Sequence, residues 1–144
     1  ANPEELAKLR ANPELGASAA DEIVRWTTPV NHFARTATRD YELRGQTIRE
    51  GDSVALFYAS ANRDEEIFED PFTFRVDRSP NNHLGFGIGE HFCLGSSLAR
   101  MEIRVLLEEL IPRLDHIELA GEPERLVSAF VGGIKHLPVR CSVS

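Results

Sequence analysis

Cysteine is almost missing from this chain. It has two in 144 residues, Cys93 and Cys141, too few for a disulfide framework, so a reducing cytoplasm is the simplest setting. Basic residues are also short, since 16 Lys and Arg against 23 Asp and Glu leave a net charge of −7. That is the wrong sign for nucleic-acid binding, which wants a basic surface. No apolar run approaches the roughly 20 residues that cross a bilayer, so no transmembrane segment is expected. The opening Asn2-Pro3-Glu4-Glu5 is polar and acidic, unlike a secretory signal. Methionine is as scarce as tryptophan, one of each: Met101 stands alone and the first residue is Ala1, which reads as the later part of a longer chain. What remains is ordinary, 42% hydrophobic and 27% charged. That is the composition of one globular unit large enough to bury its own core.

Helix punctuation opens the chain. Asn2 is placed to cap, Pro3 sits at the first helical position and Glu5 three residues after the cap completes a capping box. This helix carries Leu6 and Leu9 and stops before Pro13; a second starts at Ser18 and runs to Pro29. From Thr36 to Phe57, strand-forming residues broken by Arg44-Gly45 and Glu50-Gly51 predict one small antiparallel sheet. Residues 60–85 read as a long connection pinned by Phe68, Phe72 and Phe74, and loops of that length in compact domains are usually functional. Leu94, Leu98, Met101, Val105, Leu106 and Leu110 then recur at helical spacing. With Ile103, Leu107 and Ile111 they make an arc wide enough to predict a largely buried helix, ended by Pro112. Arg104 and Glu108 on its wetter side are spaced for an ion pair. Short strands at 116–119 and 137–141 close the chain, around the apolar loop Phe130-Val131-Gly132-Gly133-Ile134. The fold class is mainly α with small antiparallel β-sheets, α+β.

The chemistry concentrates in Phe86-Gly87-Ile88-Gly89-Glu90-His91-Phe92-Cys93-Leu94-Gly95. A cysteine at the end of a glycine-bearing loop and the start of a helix lies where free N–H groups and the helix dipole favour a thiolate. Glycines beside it let a flat ligand approach the backbone. A lone cysteine is more often a small buried hydrophobe. A nucleophilic Cys93 with His91 as base is a sharper alternative, but residues two apart rarely face each other. Zinc is disfavoured, because Cys93, His91 and His83 lack a second cysteine pair at zinc spacing. Gly87 and Gly89 do not form a dinucleotide fingerprint, since no strand clearly precedes them. Glu22 and Arg25 lie three apart on one helix and can pair.

Together these residues resemble the cytochrome P450 family of haem-thiolate monooxygenases. The ten-residue loop matches the family's haem-binding pattern, and Glu22-Ile23-Val24-Arg25 resembles its Glu-x-x-Arg pair. Phe74 to Arg78 is similar to the segment whose last arginine joins that pair; Pro80 to Phe86 and Leu98 to Glu102 resemble the bacterial branch. The resemblance implies the C-terminal part of the cytochrome P450 fold, with residues 1–144 as the haem-binding portion of a single domain. It makes Cys93 the axial ligand of haem b iron, with N–H groups just after it bonding the sulfur. Arg35 and His91 become propionate donors, Phe86 the aromatic beside the thiolate, and Gly87 and Gly95 part of the cofactor site. Glu22, Arg25 and Arg78 become a structural network, and Val30, Phe33, Phe130 and Val131 apolar substrate contacts.

The implied activity inserts one oxygen atom from O2 into an apolar C–H bond. The tail resembles actinobacterial hydroxylases of sterols or methyl-branched lipids, so the implied substrate is a hydrophobic small molecule, a sterol, terpenoid or branched lipid. The implied electron source is a ferredoxin or other redox partner docking on the cysteine side near Arg63, Arg100 and Arg104. The family's oxygen-side helix, with its Ala/Gly-Gly-x-x-Thr segment, has no match. No catalytic residue is therefore assigned in this chain, and the isolated 144 residues are expected to be inactive. A non-catalytic haem-binding remnant is the alternative.

Overall fold

A computed structural model describes residues 2–144. The first helix, α1, spans Pro3–Ala11, with proline at its start and Glu4 and Glu5 in its first turn. Asn2 makes no side-chain cap bond, and the expected capping box does not form. Glu5 instead accepts the Val76 N–H at 2.7 Å and pairs with Lys8 at 2.9 Å; tertiary hydrogen bonding outcompetes the local cap. A 3₁₀ turn, Pro13–Leu15, leads into α2, Gly16–Thr27. Ser18 lies inside α2 rather than at its start, its hydroxyl donating to the Leu15 and Val76 carbonyls at 3.0 and 2.7 Å. Thr28 ends the helix at φ 40°, a left-handed conformation that strains a β-branched residue. Its hydroxyl donates to the Arg25 carbonyl at 2.7 Å and accepts from Asn62 Nδ2 at 2.9 Å, which holds it there.

Next come β1 (His32–Thr36), β2 (Tyr41–Leu43), β3 (Gln46–Ile48) and β4 (Ser53–Phe57). The expected single sheet is two separate antiparallel ladders, β1 with β4 and β2 with β3. Side chains take up backbone groups that a continuous ladder would use: Asp40 accepts the Glu50 N–H and Asp52 the Arg49 N–H, each at 2.8 Å. A short helix, α3 (Tyr58–Ala61), opens the long connection, which reaches a 3₁₀ turn at Gly89–His91. Helix α4 spans Ser96–Leu110 and carries the Arg104–Glu108 ion pair at 3.4 Å. The tail holds β5 (Leu114–Leu119), β6 (Glu124–Arg125), β7 (Ile134–His136) and β8 (Val139–Val143). In it β5 pairs antiparallel with β8 and β6 with β7. No helix among the described residues is long and apolar enough to cross a membrane.

The core is smaller than the composition suggests. Leu9, Ala19, Val76 and Ile111 form its buried cluster, with Leu6, Leu15, Phe74 and Leu107 packed against it. The expectation that α4 is largely buried is not met: among its residues only Ser96 is buried, while Leu98, Met101, Val105, Leu106 and Leu110 are exposed. One side of α4 packs on α2, where Gly16 admits the Arg104 side chain, and no described element covers the rest. The accessible surface is 10283 Å², against about 7,400 Å² for a compact monomer of this mass. Periodicity identifies an apolar face; it does not supply the element that covers it.

Candidate functional site

The cysteine loop is a closed turn. The Phe86 carbonyl accepts the Cys93 N–H at 2.9 Å, Gly89 accepts from Phe92 at 3.0 Å, and Leu84 accepts from Gly87 at 2.9 Å. Gly87 and Gly89 stand at φ +73° and +71°, where only glycine is unstrained. Gly95 is the cap of α4, and a Cβ placed on it would lie 3.9 Å from the Cys93 sulfur. Cys93 itself precedes the helix by one tight turn, its carbonyl accepting the Ser96 N–H at 3.1 Å. No backbone N–H donates to the sulfur among the described residues, contrary to the expected bonds from the groups after Cys93. The turn at Ser96 bonds the carbonyl instead.

Cys93 opens into a cavity of about 540 Å³, within the range of small-molecule and cofactor sites. Phe86, Gly87 and His91 line it from the loop, and Val30, Phe33 and Arg35 from the far side. Phe33 and Arg35 are two apart on β1 and so share a strand face. Arg35 donates to the Ala34 carbonyl at 2.9 Å and its guanidinium carbon lies 5.9 Å from the Phe33 ring centre. Of the remaining expected contacts, Phe130 sits edge-on to Phe33 at 5.2 Å and Val131 bridges to Val30. Neither lines the cavity. Backbone bonds stitch these distant stretches together, Asn31 N–H to Phe130 at 2.9 Å and Gly132 N–H to Pro29 at 2.7 Å.

Beneath the loop, Glu22 is fully buried and gathers donors from four directions. Arg25 holds it bidentately at 2.7 and 2.8 Å, Arg78 Nε reaches it at 3.1 Å, the Arg75 N–H at 2.9 Å and Asn81 Nδ2 at 3.2 Å. Burial pushes the Glu22 carboxyl up, but the bonds from Arg25 and the Arg75 N–H and the charges of Arg25 and Arg78 outweigh it. The carboxyl is held below its ordinary value. The arginines spend their other N–H groups on loop carbonyls: Arg25 on Asn62, Pro71 and Thr73, and Arg78 on Glu69, Asp70 and Thr73. The long connection is thus wrapped around two buried cations, which explains its order without regular elements.

Sequence reading missed Asn62 and Gly85. Asn62 is fully buried; its Oδ1 accepts the Leu84 N–H at 2.7 Å, tying the end of α2 to the segment entering the loop. Nothing in periodicity marks it. A Cβ on Gly85 would lie 2.6 Å from Val24 Cγ1, 3.2 Å from His83 Nδ1 and 3.3 Å from the Val24 carbonyl. Gly85→Ala is therefore expected to lower unfolding free energy by about 1–3 kcal/mol, read by denaturant titration. An unchanged midpoint would show that the loop yields freely. The arginines expected as docking charges are all engaged. Arg63 donates to the Trp26 carbonyl at 2.8 Å and stacks on its ring at 4.9 Å, so it is a packing residue. Arg100 is bonded to Asp21, and Arg104 to Glu108.

The chemistry of the cavity fits a flat, apolar, metal-bearing group with acidic edges. It offers one soft sulfur donor, a glycine-lined wall, apolar side chains opposite, and Arg35 and His91 as donors to carboxylates. Among the described residues no three His, Cys, Asp or Glu side chains gather as a metal site, so a metal at Cys93 takes most of its ligands from elsewhere.

Comparison with known proteins agrees with this arrangement. Residues 12–134 match the family described as Cytochrome P450. A methyl-branched lipid omega-hydroxylase of Mycobacterium bovis is 54% identical over 129 residues, covering 89% of this chain and 30% of its own length. A steroid C26-monooxygenase of the same organism is 51% identical over 132 residues, covering 88% and 30%. The crystal structure of CYP108D1 from Novosphingobium aromaticivorans superposes with a TM-score of 0.91 at 49% identity, covering 99% of this chain and 34% of that one. The chain spans about a third of the length of the relatives it matches.

Proposed function

Because the chain belongs to the cytochrome P450 family, whose members bind haem through a cysteine thiolate, we propose that it forms the thiolate side of a haem-dependent monooxygenase. That enzyme inserts one oxygen atom from O2 into a C–H bond of an apolar substrate. The observation that carries this reading is the cavity in which Cys93, Arg35 and His91 meet across an apolar interior. Haem, when bound, supplies the oxygen-activating iron, and a thiolate ligand favours O–O cleavage there. Cys93 supplies that thiolate. Arg35 and His91 hold the propionates, and Gly87 admits the flat group against the backbone. Val30 and Phe33 exclude water and present an apolar surface to substrate. Glu22, Arg25 and Arg78 hold the loop and take no part in the reaction.

The substrate we favour is a sterol, terpenoid or branched lipid; the names of the two relatives support the sterol and the branched lipid, and the apolar lining at Val30 and Phe33 suits all three. The electron donor is a ferredoxin-type or other redox protein approaching from the cysteine side. The two free cysteines suit a reducing cytoplasm. The test is the reduced CO complex of the haem-loaded protein, expected to show the Soret band of thiolate ligation. A protein that takes up no haem, or shows a thiol-type band only, would overturn the proposal. Thiolate ligation without turnover in the full-length protein, once it is given donor, O2 and lipid, would favour a haem-binding role alone.

A further inference from the structure

Asp21 from α2, His83 from the long connection and Arg100 from α4 meet on a single carboxylate oxygen. Asp21 Oδ1 lies 3.2 Å from His83 Nε2 and accepts Arg100 Nε at 2.6 Å. The His83 side chain is buried, at 2% exposure, and its Nδ1 accepts the Gly85 N–H at 3.1 Å. An accepting Nδ1 leaves Nε2 to carry the proton toward Asp21, so the tautomer is set from both sides. Desolvation keeps this ring below its ordinary pKa despite the pull of Asp21.

His83 and Arg100 also face one aromatic ring. The Arg100 guanidinium carbon lies 4.6 Å from the centre of Phe86, the His83 ring 5.7 Å, and Phe92 stands edge-on at 6.4 Å. Phe86 is the residue whose carbonyl accepts the Cys93 N–H, and it lines the cavity with Cys93. None of these contacts belongs to the Glu22 network. Asp21 and Glu22 are neighbours, but consecutive helical residues point about 100° apart, so adjacent carboxylates serve two separate assemblies.

We propose that Asp21, His83 and Arg100 form a positioning clamp on Phe86, fixing that ring on the cysteine side of the cavity and thereby setting how strongly the Cys93 sulfur donates to iron. The proposal rests on the haem-thiolate reading. Donor strength of a ligating sulfur follows the packing, hydrogen bonding and water access around it, and a ring free to turn changes all three.

The test is a double-mutant cycle on the reduction potential of the haem-loaded protein. Asp21→Asn alone is expected to shift the one-electron reduction equilibrium about tenfold, ~59 mV, with thiolate ligation kept. In a Phe86→Leu background the same change is expected to shift it by less than about twofold, because the ring it acts through is gone. Additive effects, or no shift on Asp21→Asn, would overturn the clamp. If Asp21→Asn does not retain haem, Arg100→Lys is read by the same criterion, since lysine keeps the charge and loses the planar stacking face. In the haem-free chain, fluorine-labelled Phe86 gives one resonance that moves or broadens on Asp21→Asn; an unchanged line sinks the proposal. Failure of the wild-type chain to bind haem would defeat the haem reading, and the fluorine measurement would still decide the clamp.

Discussion

Cys93→Ala is expected to abolish the thiolate Soret band of the reduced CO complex completely while leaving the fold of the chain unchanged. The two halves of this expectation come from different parts of the structure. Cys93 is exposed, and the loop is closed by its backbone, through the N–H to Phe86 and the carbonyl to Ser96. Its side chain contributes no hydrogen bond, so the change in stability is expected to stay within about 0.5 kcal/mol, as for surface substitutions away from structural features. The sulfur, by contrast, has no substitute. No cluster of other metal-binding side chains forms among the described residues, and His91, two residues away, cannot occupy the same position on the loop. Absorbance of the reduced CO complex and thermal unfolding of the haem-free chain are measured side by side. A thiolate-type band that survives Cys93→Ala would remove Cys93 from the iron. A cysteine nucleophile with His91 as base makes the opposite prediction, no haem spectrum in either protein.

The second large effect belongs to Glu22→Gln. Glutamine keeps the shape and removes the charge, leaving Arg25 and Arg78 buried at 0% and 5% exposure with no anion between them. Breaking a buried ion pair by neutralising one partner typically destabilises by about 3–5 kcal/mol, a large share of the roughly 5–15 kcal/mol that holds a domain together. Chemical denaturation is expected to show that loss, and haem retention to fail before any later property does. A loss under about 1 kcal/mol would mean the loop carbonyls alone satisfy the two arginines.

The same carboxylate gives the chain an acid-side weakness. Its pKa is held down in the folded state, so the unfolded chain binds the proton more readily. The stability it contributes is fully present above the unfolded glutamate value of about 4.3, declines as pH falls below that, and is gone once pH passes the folded value. Glu22→Gln is expected to flatten this part of the stability profile.

Much of this was legible in the residues alone. The loop from Phe86 to Gly95, the Glu22–Arg25 spacing and the helices around them carry local signatures, because capping, periodicity and motif spacing involve residues within a few positions of one another. These determined the family and, through it, the haem cofactor, and they singled out Cys93 as the candidate ligand. The tertiary structure decided what the sequence has no way to express. Glu22 meets an N–H of Arg75 and the side chain of Asn81, 53 and 59 residues away, and Asp21 meets His83 and Arg100 at separations of 62 and 79. The Glu22 convergence is set by the path of the long connection around two buried guanidinium groups, whose other partners are backbone carbonyls that every residue possesses. The apolar stripe of α4 shows the same division from the other side. Its periodicity is local and plain to read, but whether it is covered depends on what packs there, and in this chain much of it faces outward.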